Sequence, residues 1–120
     1  DITLQKIFAL IRSEFGTHEK KIESILDKVS KEDKESYYKI INSEASQALY
    51  ENAFKLLTKL LTLAYKEKCI ILIDEYDTPI QTGFLKGYYE DIVGFFKTFM
   101  GAVLNDNDTY LRKGVLTGIL

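Results

Sequence analysis

Four consecutive aliphatic residues, Ile70, Ile71, Leu72 and Ile73, run directly into Asp74, Glu75, Tyr76 and Asp77. A short run that is apolar at every position predicts a strand buried on both faces, as in the interior of a parallel sheet. Parallel strands need helical crossovers between them, so this run alone points to an α/β chain. Polar groups that follow such a strand fall on the C-terminal edge of the sheet, where open α/β sheets place their ligand chemistry. Asp74, Glu75 and Asp77 are therefore the first candidates for such chemistry.

Everything before the run reads as helix. Leu4, Ile7, Phe8, Ile11 and Phe15 share one face at helical spacing, and Gly16 supplies a stop. Thr17 is placed to cap a second helix with Glu19 in its first turn and Ile22, Ile25, Leu26 and Val29 as its apolar stripe. The charges at 31–35 suggest a solvated connection, and Tyr37, Ile40 and Ile41 a short third helix. Ser43 is a candidate cap for a longer helix, with Ala45, Ala48, Leu49, Ala53, Leu56, Leu57, Leu60 and Ala64 inward over about five turns.

After the strand, Pro79 lacks the donor that a central strand needs, so it marks a stop, and 81–87 reads as a loop. Tyr89, Ile92, Val93, Phe96, Phe99, Met100, Val103 and Leu104 predict a strongly amphipathic helix. Residues 105–108 form a turn, with Asp108 capping a short helical turn through Arg112, and 114–119 form a second strand. Strand, helix, strand predicts a parallel pair joined by a right-handed crossover.

The chain of 120 residues suits one domain, with enough apolar residues for a packed core. A net charge of −2 gives no basic footprint for nucleic acid, although a near-neutral total leaves a local patch open. The single cysteine, Cys69, excludes an internal disulfide, fits a reducing cytoplasm, and at the head of an apolar run reads as a buried, inert thiol. No apolar segment approaches a membrane span. The chain opens on Asp1 and closes on Leu120 inside the expected second strand, which reads as a fragment of a larger protein; the alternative is a small protein trimmed at its N-terminus.

The string IILIDEYDTPI at 70–80, together with Val115-Leu116-Thr117-Gly118-Ile119, resembles the AAA-ATPase-like family of bacterial proteins, with its DEYD signature and its hydrophobic-L-T-G-I strand. The likeness is tightest from 69 to 120 and looser over the helical half. It implies a partial P-loop NTPase-like core: a helical segment at 1–66, then the Walker B strand, crossover helix and sensor strand at 67–120. By the resemblance, Asp74 positions Mg²⁺ on a nucleotide phosphate, Glu75 orients or activates the attacking water, and Thr117 senses the γ-phosphate. Asp74 suits that role chemically, because a carboxylate buried at a strand tip needs a cation or donors to meet it, and Mg²⁺ takes one or two carboxylates plus waters and phosphate oxygens.

The resemblance also implies ATP and Mg²⁺ as the ligands of the intact parent, and often a C-terminal restriction-nuclease-like domain, of which these residues hold nothing. The phosphate-binding loop is absent from the chain too, since no Gly-Lys pair followed by Ser or Thr occurs. The expected partners are therefore the upstream phosphate-loop segment and the C-terminal parts of the same protein, and exposed strand edges offer a route to homo-oligomers. Without the loop, the fragment alone is expected to be inactive and to bind ATP poorly.

Blander readings stand beside these. Asp74 can cap the following loop, Glu75 can be a surface residue, and Thr117 can satisfy its own backbone. Asp77 can order the loop or meet a basic residue, Tyr76 can pack, and His18 has no ligand partners at metal spacing. The rival function is a non-catalytic module that binds nucleotide or protein through the acidic edge. A metal-dependent nuclease using Asp74 and Asp77 would want Glu-x-Lys on an adjacent strand; the available matches, at 19–21 and 32–34, fall in helical or charged segments. Arg112 and Lys113 near the second strand are candidates for contacts in trans or for plain solvation.

Overall fold

The computed structural model describes residues 2–87, 89–105 and 107–118. It is mostly helical, with a small parallel sheet. The first helix, α1 (Ile2–Thr17), buries Leu4, Phe8, Ile11 and Phe15 along the predicted stripe. Gly16 does not end it. The helix runs on to Thr17, whose hydroxyl donates to the Ser13 carbonyl at 3.0 Å and caps nothing downstream. His18 takes the cap position of α2 (Glu19–Glu23) without a side-chain capping bond. That helix is short, and a 3-10 turn at Leu26–Lys28 follows it, yet Ile22, Ile25 and Leu26 still face the core.

The charges at 31–35 are not a connection. They begin α3 (Lys31–Ile41), where the Ser30 side chain accepts the Asp33 N–H at 3.1 Å. Glu32 and Asp33 sit at the positive end of the helix dipole, so acidic residues favour helix here. Asp33 also meets Lys59 Nζ at 2.6 Å, and this bond raises the Lys59 pKa.

The long fourth helix divides in two. Ser46, not Ser43, caps α4 (Gln47–Glu51) by accepting the Leu49 N–H at 3.2 Å. Asn52 breaks the run before α5 (Ala53–Tyr65), its side-chain amide donating to the Ala48 carbonyl at 3.2 Å. An Asn that bonds nearby backbone offers it an alternative to helix. Ser43 lies in the left-handed region at φ 61°.

Strand β1 (Cys69–Ile73) pairs in parallel with β2 (Leu111–Leu116), aligning Ile71 with Gly114 and Ile73 with Leu116. The helices pack on the face that carries Cys69, Ile71 and Ile73: the Cys69 thiol reaches the Thr58 carbonyl of α5, and Ile71 and Ile73 join the core. The other face is open. Ile70 is 62% exposed and Leu72 66%, so the expectation of a strand buried on both faces is corrected. Among the described residues the sheet has helices on one side alone.

Residues 77–86 correct a second expectation. They form α6 (Asp77–Lys86), not a loop. Pro79 lies in the first turn, where its absent N–H would have had no intrahelical partner. Gly87, at φ 84°, supplies the left-handed C-cap, and α7 (Tyr89–Leu104) follows with Ile92, Phe95, Phe99 and Val103 buried. Two helices, not one, therefore connect the strands. Phe95 stands against Phe8 at 5.5 Å, and Phe8 stacks on Tyr50 at 4.2 Å, so one aromatic cluster joins α1, α4 and α7.

No helix runs from Asp108 to Arg112; the chain makes one hydrogen-bonded turn there, and Arg112 already lies in β2. Asn107 is buried, donates its side-chain amide to the Thr58 hydroxyl at 2.9 Å, and accepts the Tyr110 and Leu111 N–H groups at its carbonyl. This tie to α5 starts β2 at Leu111, earlier than expected. The expected second strand ended at Ile119, which lies outside the described residues.

Candidate functional site

The site forms where both strands end. The parallel ladder takes one more step beyond β1 and β2: the Thr117 N–H donates to the Ile73 carbonyl at 2.9 Å, and the Tyr76 N–H to the Thr117 carbonyl at 3.1 Å. These bonds carry Thr117 to the side of Asp74. Its hydroxyl donates to Asp74 Oδ1 and accepts the Glu75 N–H at 3.3 Å. One hydroxyl thus uses its single proton and a lone pair to join the two adjacent acidic residues.

Asp74 is exposed, not buried as a strand-tip carboxylate was expected to be. The strand ends at Ile73 and the chain leaves the sheet immediately, so solvent and Thr117 share its solvation. Glu75 is exposed as well, at φ 52°. A left-handed backbone costs a non-glycine residue roughly 1 kcal/mol. With that turn, the strict alternation of side chains stops at Ile73 and no longer sends Glu75 to the opposite side from Asp74.

Asp77 behaves differently. It is 4% exposed, begins α6, and accepts the Gln81 side-chain amide at Oδ2 at 3.2 Å. Gln81 escaped the sequence reading. Its signal was the four-residue spacing from Asp77, which means something only on a helix. Gly118 packs against the same carboxylate, and nothing in the local sequence marks that contact.

The donor set suits Mg²⁺ chemistry. The Asp74 carboxylate and the Thr117 hydroxyl offer hard oxygen atoms of the kind Mg²⁺ takes, and Oδ2 of Asp74 lies outside the bond to Thr117. Among the described residues there is no group of three or more His, Cys, Asp and Glu able to hold a metal by themselves.

The family model described as predicted AAA-ATPase matches residues 2–120. The chain belongs to the AAA-ATPase-like family. No curated protein and no solved structure matches it. The family match takes in the helical half of this AAA-ATPase-like chain as well as the strands.

The other candidates of this AAA-ATPase-like protein fall away from the edge. His18 sits edge-on to Tyr65, with Nε2 3.5 Å from Glu14. Cys69 is half-buried; burial raises its thiol pKa, and the hydrogen bond with Thr62 offsets part of that. The residues at 19–21 lie in α2 and those at 32–34 in α3, while β2, the strand adjacent to β1, carries Arg112 and Lys113 and no acid. The Glu-x-Lys of a metal-dependent nuclease is thus not on the neighbouring strand. Among the described residues no helix is long and apolar enough to cross a membrane.

Proposed function

We propose that this chain supplies the Walker B and sensor half of an ATPase that hydrolyses Mg·ATP. The observation that carries the reading is the Thr117 hydroxyl, bonded to Asp74 and to the Glu75 N–H at the C-terminal edge of a parallel pair. In this reading Asp74 helps hold Mg²⁺, which when bound neutralises charge on the phosphates. Glu75 orients and deprotonates the attacking water for in-line displacement at the γ-phosphate. Thr117 reports on that phosphate by exchanging its bond to Asp74 for one to the ligand.

The reading needs a phosphate-binding loop, whose backbone N–H groups and lysine provide most of the grip. These 120 residues hold no such sequence. We place the loop outside them, and the isolated chain should then show no saturable Mg·ATP binding at micromolar concentrations.

Asp74→Asn tests the assignment in the ATPase that carries its loop. Because Mg²⁺ binds a neutral amide far more weakly than a carboxylate, the Mg²⁺ concentration needed for half-maximal turnover should rise by about tenfold or more. An unchanged Mg²⁺ dependence would remove Asp74 from the metal site.

A further inference from the structure

We infer that Asp77 and Gly118 form a positioning contact that holds Thr117 in register with the turn at Glu75. Only its effect on turnover rests on the ATPase reading; the contact itself does not.

Of the three carboxylates at 74–77, Asp74 and Glu75 are exposed and Asp77 is almost fully buried. A buried carboxylate is unfavourable unless hydrogen-bond donors or positive charge meet it. Asp77 has the Gln81 amide and a place in the first turn of α6, the end of the helix dipole that favours negative charge. What this burial achieves is visible at Gly118. A methyl group built there would lie 2.7 Å from Asp77 Oδ1, and 2.8 and 2.9 Å from two ring carbons of Tyr76. The carboxylate and the ring therefore occupy the place of a side chain at 118, and any residue larger than glycine must displace one or both of them.

This contact closes a circuit around Thr117. On its N-terminal side the strand ladder fixes it through the Ile73 carbonyl, and its own carbonyl takes the Tyr76 N–H. On its C-terminal side Gly118 rests on Asp77 and Tyr76. Between these supports lies Glu75, in a left-handed conformation that persists only where surroundings impose it. A side chain at 118 would push α6 and the strand end apart and draw the hydroxyl off Asp74. Asp77 touches none of the reacting groups, so its role is positioning.

Amide hydrogen exchange tests the contact in the wild-type chain, Gly118→Ala, Asp77→Ala and Asp77→Asn. In the first two variants, exchange at the Tyr76 and Thr117 amides should accelerate by about tenfold or more, while α7 amides keep their protection. Asp77→Asn retains the shape and the acceptor for Gln81 and should restore the protection lost in Asp77→Ala. In the loop-bearing ATPase, Gly118→Ala should lower kcat by about a hundredfold, with KM for Mg·ATP within about twofold of wild type. Wild-type exchange rates in Gly118→Ala, or no restoration by Asp77→Asn, would overturn the inference. If Gly118→Ala fails to fold, Asp77→Ala carries the same test, because it opens space instead of filling it. A wild type without turnover would defeat the ATPase reading and leave the exchange result standing.

Discussion

The Thr117 hydroxyl bonds Asp74 Oδ1 across 43 residues of sequence, and the same oxygen accepts the Glu75 N–H. This one atom turns two neighbouring strand ends into a single polar site. Thr117→Val keeps the side-chain shape and removes both bonds. All three residues are exposed, so water can replace the lost partners and stability should fall by less than about 1 kcal/mol. ATP turnover should drop by about a hundredfold, as when a preorganised donor is removed from a reaction site. Urea unfolding together with steady-state hydrolysis separates the two effects; unchanged turnover would leave Thr117 a structural residue.

Glu75 is held in a left-handed conformation that glycine adopts without cost. Glu75→Gly should therefore raise stability by about 0.5 kcal/mol, the relief of strain outweighing the added freedom of the unfolded chain. Glu75→Val, β-branched, should lose roughly 1–2 kcal/mol. Chemical denaturation midpoints give the order, and a less stable Glu75→Gly would contradict the strain assigned here.

Tyr37 is fully buried between Phe15 and Tyr38, and its hydroxyl has no hydrogen-bond partner among the described residues. Desolvation, followed by the charges of Glu19 and Glu23, raises its pKa from 10.0 to about 12. The folded state thus keeps this proton more tightly than the unfolded state. Its contribution to stability is complete below pH 10 and is lost as pH rises to about 12. Tyr37→Phe removes an unsatisfied polar atom, so it should be neutral or stabilising by about 1 kcal/mol near pH 7. The variant should also lose less stability than wild type over the alkaline window in paired melts.

Burial raises the Cys69 thiol pKa, and its sulfur lies 3.5 Å from the Thr58 carbonyl. Little reactive thiolate forms near neutral pH. Alkylation of the folded protein should run at least about tenfold slower than that of a free thiol, and urea should abolish the difference. A fast-reacting Cys69 without denaturant would mean that the seam between α5 and β1 opens readily.

Where periodicity was strong, the sequence was readable. The apolar run at 70–73 and the stripe from Tyr89 to Leu104 gave β1 and α7: a short aliphatic run favours strand, and burial of one helix face dictates the stripe. The join between strand and acidic edge was readable too, since Asp74 directly follows the last apolar residue of the run. Local chemistry misled elsewhere. Pro79 reads as a stop until one knows that it occupies a first turn, and the charges at 31–35 read as solvated until Ser30 is seen to cap them. Asn52 divides a stripe that hydrophobicity alone would continue. Ile70 and Leu72 carry a pattern meant for two covered faces, yet helices lie on one. The contact of Asp77 with Gly118 left no trace in the sequence, because it arises only when the strand end and the first turn of α6 meet.

The central claim is that Glu75 activates water at this edge. Mg·ATP binding and steady-state hydrolysis by the loop-bearing protein, wild type beside Glu75→Gln, test it most directly. Gln keeps the size and loses the base, so turnover should fall by about a hundredfold or more while nucleotide affinity stays within about threefold. Equal turnover in the two proteins would contradict the claim, and silence in both, with a folded protein that binds ATP, would make the acidic edge a binding surface.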